Sequence, residues 1–197
     1  MRAKDYRRIA KEKMRPVEIT LVVSYLIYTV IASLLALTGV GGIALAILGG
    51  AFLAGLASIF LGCSRGEDVR IDNVFDGFKY NLGTNILIGL LIWLYTWLWS
   101  LLFVIPGIIK SYSYSMAYFI LCDNPSLSPD EAITKSKEMM DGHKWELFCL
   151  DLSFIGWRIL CVLTVGILSF WVEPHVQVSH AEFYEHIRPR PEETIHV

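Results

Sequence analysis

The chain has 197 residues, of which 54% are hydrophobic and 18% are charged, and its mean hydropathy is +0.50. A soluble domain of this length would carry more polar surface, so the composition argues against a soluble enzyme and favours a membrane protein. The formal net charge of −2 hides an uneven distribution, because seven of the 17 basic residues lie in the first 15 positions. Too few basic residues remain elsewhere for a nucleic-acid-binding surface.

The basic N-terminal stretch has the pattern of a short amphipathic helix. Over residues 5–15, the apolar side chains share one helical face: Tyr6, Ile9, Ala10 and Met14. Such a helix is expected to lie on an anionic membrane leaflet, where each basic residue contributes ~1 kcal/mol. The apolar run that follows is too long for the central region of a signal peptide, so we interpret it as a retained membrane span.

Six apolar segments follow one another along the chain. They are residues 17–38, 43–62, 82–104, 108–122, 145–165 and 167–187. A helix of ~20 residues crosses the ~30 Å hydrocarbon layer, and the short fourth segment can do so only if the bilayer thins or neighbours shield its ends. Pro106 and Gly107 are expected to form the turn between the third and fourth segments.

Two polar stretches are expected to form helices on the cytoplasmic surface. In residues 63–81, four apolar side chains fall on one face: Ile71, Val74, Phe75 and Phe78. The second stretch opens with a capping box between Ser128 and Glu131. The predicted fold class is therefore all-α, a polytopic membrane helical bundle with about six membrane segments and amphipathic in-plane helices. It forms one domain over residues 1–187, followed by a loose tail at 188–197.

Lysine and arginine predict the orientation of the bundle. With six segments and a cytoplasmic N-terminus, 15 of the 17 basic residues lie on the cytoplasmic side, and the other two, Lys110 and Arg158, lie within segments. This asymmetry predicts that both termini are cytoplasmic. A five-segment alternative would move only the arginines of the tail outside, so the charge count leaves both numbers open.

A stripe of small residues follows the second segment at every fourth position. Its members are Gly42, Ala46, Gly50, Ala54, Ser58 and Gly62. Small residues allow helix backbones to approach closely in lipid, where no hydrophobic drive holds helices together. We interpret the stripe as a packing surface within the subunit, and the seam of a homo-oligomer is the alternative.

A polar face on the fourth segment is the best candidate for a functional site. Its side chains, set in an otherwise apolar run, are Lys110, Ser111, Tyr114 and Ser115. With Arg158 and Glu173 from the last two segments, they would line a polar cavity open to anionic lipid headgroups or small anions. The alternative is that Lys110 extends its ammonium group to the outer surface.

Charged residues of the last two segments can be paired by depth. In an antiparallel hairpin that turns near residues 165–166, Arg158 lies level with Glu173, and Asp151 lies level with His180. Both steps are seven residues long, so each helix presents its two residues on one face. We predict both pairs as buried contacts, because an ionisable side chain within a membrane needs a partner.

Three stretches carry a resemblance to a known family. They are LWSLLFVIPGIIKSYSYSMAYFIL, then DNPSLSPDEAITKSKEMMDGHKWELFCLDLSFIGW, then the short motifs LTVGI, WVEP and AEFYE. Over about residues 75–185 the chain resembles the bacterial integral-membrane family catalogued as domain of unknown function 975. The resemblance implies a multi-pass protein of the bacterial plasma membrane without an established activity. His175 departs from the family pattern, which usually has tyrosine at this position, and the two charge pairs lie outside the recurring motifs.

The sequence predicts no catalytic, cofactor-binding or metal site. It contains no H-E-x-x-H, G-x-S-x-G, P-loop or G-x-G-x-x-G motif, and the histidines of the last segment are better read as the polar face of a helix leaving the membrane. We therefore expect a non-enzymatic membrane component that binds a partner protein, a second copy of itself or lipids. A transporter or channel subunit using the polar face is the alternative, and an intramembrane enzyme is the third hypothesis.

Overall fold

The computed structural model describes residues 3–37, 41–79, 81–102, 104–164 and 166–188, and these residues form helices and no strand. The helices in chain order are α1 Ala3–Met14, α2 Glu18–Leu37, α3 Gly41–Arg65, α4 Asp76–Lys79, α5 Leu82–Leu102, α6 Val104–Tyr114, α7 Ala117–Asp123, α8 Pro129–Met139, α9 Lys144–Leu152, α10 Ile155–Leu163 and α11 Ser169–Ile187. A 3-10 helix, Ile71–Phe75, leads directly into α4. The prediction of an all-α fold is confirmed.

Two of the predicted segments are divided between two helices. The fourth segment breaks between α6 and α7 at Ser115, and the fifth breaks between α9 and α10 at Ser153. At each break the serine hydroxyl donates to the carbonyl oxygen three residues earlier, Tyr112 O at 2.8 Å and Leu150 O at 2.6 Å. Such bonds accompany both breaks, and neither segment is one continuous helix, in contrast to the prediction.

The predicted turn residues Pro106 and Gly107 lie within a helix. α5 ends at Leu102 and α6 begins at Val104, so Pro106 and Gly107 belong to the first turn of α6. Proline fits there because the amide hydrogens of a first helical turn have no acceptor within the helix. The predicted reversal at Pro106 and Gly107 is therefore wrong.

One helix of the described chain, α3, is long and apolar enough to cross a membrane, over Leu48–Arg65. The number rises to three if two bent pairs each count as one span, α1 with α2, bent by 98°, and residues 71–79 with α5, bent by 92°. Other parts of the protein bury 72% of the α3 window, so α3 is the central helix of the bundle. The length criterion thus identifies one to three spans where the sequence predicts about six.

Three pairs of neighbouring helices pack as hairpins: α2 with α3, α5 with α6, and α10 with α11. In the first hairpin the returning chain is α3, in the second it is α6 followed by α7, and in the third it is α11. The far ends of these three returning paths meet. Ion pairs join Arg65 at the end of α3, Asp123 at the end of α7 and Glu185 near the end of α11. The first residues of α3, α6 and α11 therefore lie at the opposite ends of these paths from the ion pairs.

Glycine allows the chain between α3 and α5 to pack directly on the α3 backbone. A β-carbon on Gly55 would collide with the carbonyl oxygen of Val74, and one on Gly77 would collide with that of Ala51. Val74 is fully buried, and the ring of Phe78 lies edge-to-face on a phenylalanine of α3. The stretch predicted as an in-plane amphipathic helix is therefore a 3-10 helix and a short α-helix folded against α3.

The N-terminal helix α1 is docked on α11 by its apolar face. Tyr6, Ala10 and Met14 are at most 2% exposed, and the Tyr6 ring lies edge-to-face on Phe183 at 5.4 Å. The pKa of Tyr6 is raised to about 12, mainly by burial and to a smaller extent by nearby carboxylates, so its hydroxyl stays neutral in this contact. The amphipathic helix is present as predicted, but its apolar face is covered by protein.

Candidate functional site

A group of charged side chains joins the ends of α3, α7 and α11, and we call it the charged junction. Asp123 accepts hydrogen bonds from Arg65 at 2.6 Å, from the Tyr184 hydroxyl at 2.8 Å and from Arg188 at 3.3 Å. Glu185 pairs with Arg65 at 2.8 Å and with Arg188 at 2.9 Å. Each charge therefore has opposite charges beside it, and the junction fixes the three helix ends relative to one another. A cleft of about 660 Å³ opens beside it, between α7, α8 and α11.

The predicted contact between Asp151 and His180 is present. Asp151 Oδ1 lies 2.8 Å from His180 Nε2, and the Tyr112 hydroxyl donates to Asp151 Oδ2 at 2.8 Å. The carboxylate thus links three helices, α6, α9 and α11, through one side chain from each. Tyr112 was not part of the predicted pair. It lies three residues before Ser115, and sequence spacing gave no sign that this ring turns toward α9.

Arg158 and Glu173 do not form the predicted ion pair. The ion pairs within 4.0 Å among the described residues do not join these two side chains, and Arg158 is exposed. The reason is the break after α9: the seven-residue step from Asp151 to Arg158 keeps one face only along an uninterrupted helix.

The polar face predicted on the fourth segment is not one surface in the structure. Ser111 is exposed and donates to the Ile108 carbonyl oxygen at 2.8 Å. Tyr114 is buried, with its ring 5.5 Å from the ammonium group of Lys137 on α8, and Ser115 lies at the helix break. Lys110, on the same helix, is half-buried. These side chains point in different directions because α6 ends within the predicted face.

The small-residue stripe packs against helices of the same chain wherever its surroundings are described. Gly50 meets the backbone of α5, and Ala54 is buried. Ser58 Oγ lies 3.4 Å from Cys122 Sγ of α7, and Gly62 faces Val69 in the chain after α3. This agrees with the interpretation of packing within the subunit. Gly42 and Ala46 lie outside the residues whose side chains are described.

A groove of about 470 Å³ lies between α1, α10 and α11. One wall carries four basic side chains of α1: Lys4, Arg7, Arg8 and Lys11. Their spacing of three and four residues places them on one helical face, beside the apolar face that docks on α11. The groove also contains the carboxylate of Glu18, which lies 3.9 Å from His175 Nε2. The charge of the groove is therefore strongly positive.

The other walls of the groove are aromatic and apolar. They are formed by Phe154, Trp157, Trp171 and Val172, from the two helices of the α10–α11 hairpin and the residue before it. The Arg7 guanidinium lies 4.5 Å from the Phe154 ring centre and donates to the Ser153 carbonyl oxygen at 2.9 Å. We call this site the basic–aromatic groove.

The sequence indicated only half of the basic–aromatic groove. The cations of α1 were recognised as a surface for an anionic leaflet, but Trp157 and Trp171 were not assigned to it. Their similar distances from the turn after α10 gave a usable signal, because residues equally far from a hairpin turn lie level with each other. What the sequence could not indicate is the docking of α1 beside them.

The fold and the site together define a class: an all-α bundle of three hairpins, with a charged junction and a basic–aromatic groove. Residues 100–191 match the model of the family described as Protein of unknown function (DUF975), and this part of the chain is a DUF975 domain. The match begins later than the resemblance drawn from the motifs and ends a few residues beyond it. Comparison with curated proteins and with solved structures found no match.

Proposed function

We propose that this chain is an integral protein of the bacterial plasma membrane that acts by binding lipids or a partner protein. Its six membrane segments enter the bilayer as three hairpins from the cytoplasmic side. The observation that carries the proposal is the separation of apolar and charged surfaces along the three hairpins. Large apolar side chains are exposed along the hairpins, and the ion pairs of the charged junction lie at the far ends of the same helix paths.

The exposed apolar surface is clearest on the α10–α11 hairpin. None of the α10 residues is buried, and Val162, Leu163 and Ile167 are more than 70% exposed. Exposing such side chains to water costs on the order of 1.5–3 kcal/mol each, whereas lipid tails accept them. A nine-residue helix is only about 13 Å long, so this hairpin enters roughly half of the ~30 Å hydrocarbon layer.

Cysteine labelling in intact cells tests this topology. In a cysteine-free background, Lys135→Cys and Thr194→Cys should resist a membrane-impermeant thiol reagent, because both positions are cytoplasmic. Thr38→Cys, between α2 and α3, is the matched position on the outer side and should react. Strong labelling at Lys135→Cys, or recovery of the protein from the soluble fraction, would contradict the proposal.

A transporter or channel subunit is the second candidate, and the observation in its favour is the contact of Tyr112, Asp151 and His180. Three linked groups able to carry a proton lie at the meeting point of α6, α9 and α11. If the protein conducts protons, purified protein in liposomes should dissipate an imposed pH gradient, and Asp151→Asn should not. A gradient held equally by wild type and variant would exclude proton conduction.

A further inference from the structure

We propose that the basic–aromatic groove holds one anionic phospholipid of the cytoplasmic leaflet, with its phosphate on the α1 cations and its acyl chains along the α10–α11 hairpin. This inference rests on the membrane location proposed above and adds a defined ligand site to it. It differs from a general attraction of α1 to the membrane surface, because the site is a concave space bounded by three helices.

The phosphate position follows from the cations of α1. Lys4, Arg8 and Lys11 have no hydrogen-bond or ion-pair partner among the described residues, although they line one space. Arg7 is held by the Ser153 carbonyl oxygen and the Phe154 ring, so its guanidinium is fixed before a ligand arrives. Four converging cations repel one another, and a phosphate that accepts several charge-assisted hydrogen bonds removes that repulsion.

The direction of the acyl chains follows from the opposite wall. Trp157 is 46% exposed and Trp171 is 48% exposed, and each is the third residue of its helix, α10 or α11. Indole rings prefer the level of lipid headgroups, between the charged surface and the hydrocarbon. From these rings the exposed leucine, isoleucine and valine side chains of α10 continue into the hairpin. A soluble anion would use the cations alone and would leave this apolar wall uncovered.

Hydroxyl-bearing headgroups fit the remaining edge of the groove best. The carboxylate of Glu18 lines it and offers oxygen acceptors. Phosphatidylglycerol combines one phosphate charge with two free hydroxyl groups and is therefore the probe, with phosphatidylcholine as the neutral-lipid comparison.

Native mass spectrometry of protein exchanged into phosphatidylglycerol nanodiscs measures bound lipid directly. Wild type should retain one phosphatidylglycerol after the remaining lipid is removed. Changing Lys4, Arg8 and Lys11 together to Gln should reduce this occupancy by roughly tenfold or more, because it removes three of the four cations that face the phosphate. The matched control changes Arg15, Lys135 and Lys144 to Gln, which removes the same charge outside the groove, and should retain the lipid.

Four results would overturn the inference. Wild-type occupancy in the groove variant would place the lipid elsewhere, and equal loss in the control variant would reduce the effect to net charge. Equal retention of phosphatidylcholine would remove the role of the charge. Equal thermal stabilisation by inorganic phosphate or glycerol 3-phosphate would make the site one for a soluble anion. Circular dichroism and thermal melting establish that the variants remain folded. These results differ from a failure of the membrane proposal. In that case the protein would be recovered from the soluble fraction in the labelling experiment.

Discussion

Gly50 of α3 and Gly89 of α5 cross in direct backbone contact: a β-carbon on Gly89 would lie 2.7 Å from the Gly50 Cα atom. A β-carbon on Gly50 would in turn collide with the carbonyl oxygen of Asn85. Two of the three hairpins therefore touch without intervening side chains at this point. Because no side chain separates the two backbones, this crossing fixes the distance between the α2–α3 and α5–α6 hairpins.

Replacing Gly50 by Leu should lower the thermal midpoint in detergent and reduce the yield of folded protein. Overpacking commonly costs ~1–3 kcal/mol, and we expect at least the upper part of that range because the obstacle is backbone. Gly49→Ala is the matched control, since a β-carbon there meets nothing within 4 Å. It should be neutral or slightly stabilising because alanine favours helix. Unchanged melting of Gly50→Leu would show that the crossing is not formed.

A double-mutant cycle on Asp151 and His180 should give a clear coupling energy. Removing either partner leaves the other partly buried without its ion pair, so the double variant should be less damaged than the sum of the single variants, by ~1–3 kcal/mol. The same cycle on Arg158→Met and Glu173→Gln is the comparison and should be additive within ~0.5 kcal/mol. Coupling confined to the second pair would contradict the structure. Both cycles are measured as shifts in unfolding free energy in detergent.

Asp123→Asn should destabilise the bundle more than the loss of an exposed ion pair does. The change weakens three hydrogen bonds and leaves Arg65 and Arg188 with less opposing charge, and we expect a loss of about 2–3 kcal/mol in unfolding free energy. Asp72→Asn is the control, because the Asp72 side chain is 78% exposed and lies 3.7 Å from its arginine partner. That change should alter stability by less than ~0.5 kcal/mol. Equal effects would mean that the charged junction does not hold the helix ends.

The capping box at the start of α8 should make stability depend on pH through Glu131. Hydrogen bonds from the Ser128 backbone amide and hydroxyl lower the pKa of Glu131 below its usual value of 4.5. A lowered pKa in the folded state adds stability above the usual value, and this contribution is lost as pH falls through the folded pKa. The advantage of wild type over Glu131→Gln should therefore be present near neutral pH and disappear in acid.

Thermal unfolding between about pH 3 and 7 measures this difference. Glu138→Gln removes a carboxylate from the same helix without removing a capping bond, and it should not reproduce the same pH profile. A wild-type advantage that grows as pH falls would contradict the assignment of the cap.

The sequence by itself determined the local features of this protein. The positions of α2, α3 and α5 follow from apolar run lengths, and the capping box at Ser128 appears as expected because its bonds involve residues three apart. The contact of Asp151 with His180 agrees with the prediction made by counting residues on either side of the hairpin turn. The small-residue stripe identified a packing surface because a spacing of four residues places its members on one helical face.

Only the tertiary structure decided which of these surfaces meet. The break at Ser153 lies between Asp151 and Arg158, so these two residues do not share one helical face. The serine–carbonyl bond that accompanies the break also occurs at Ser111, where α6 continues. The pattern alone therefore cannot locate a break. Likewise, nothing local brings Arg7 to Phe154, far along the chain. Their contact depends on the packing of the apolar face of α1 on α11, and the burial energies that decide this packing are summed over the whole bundle.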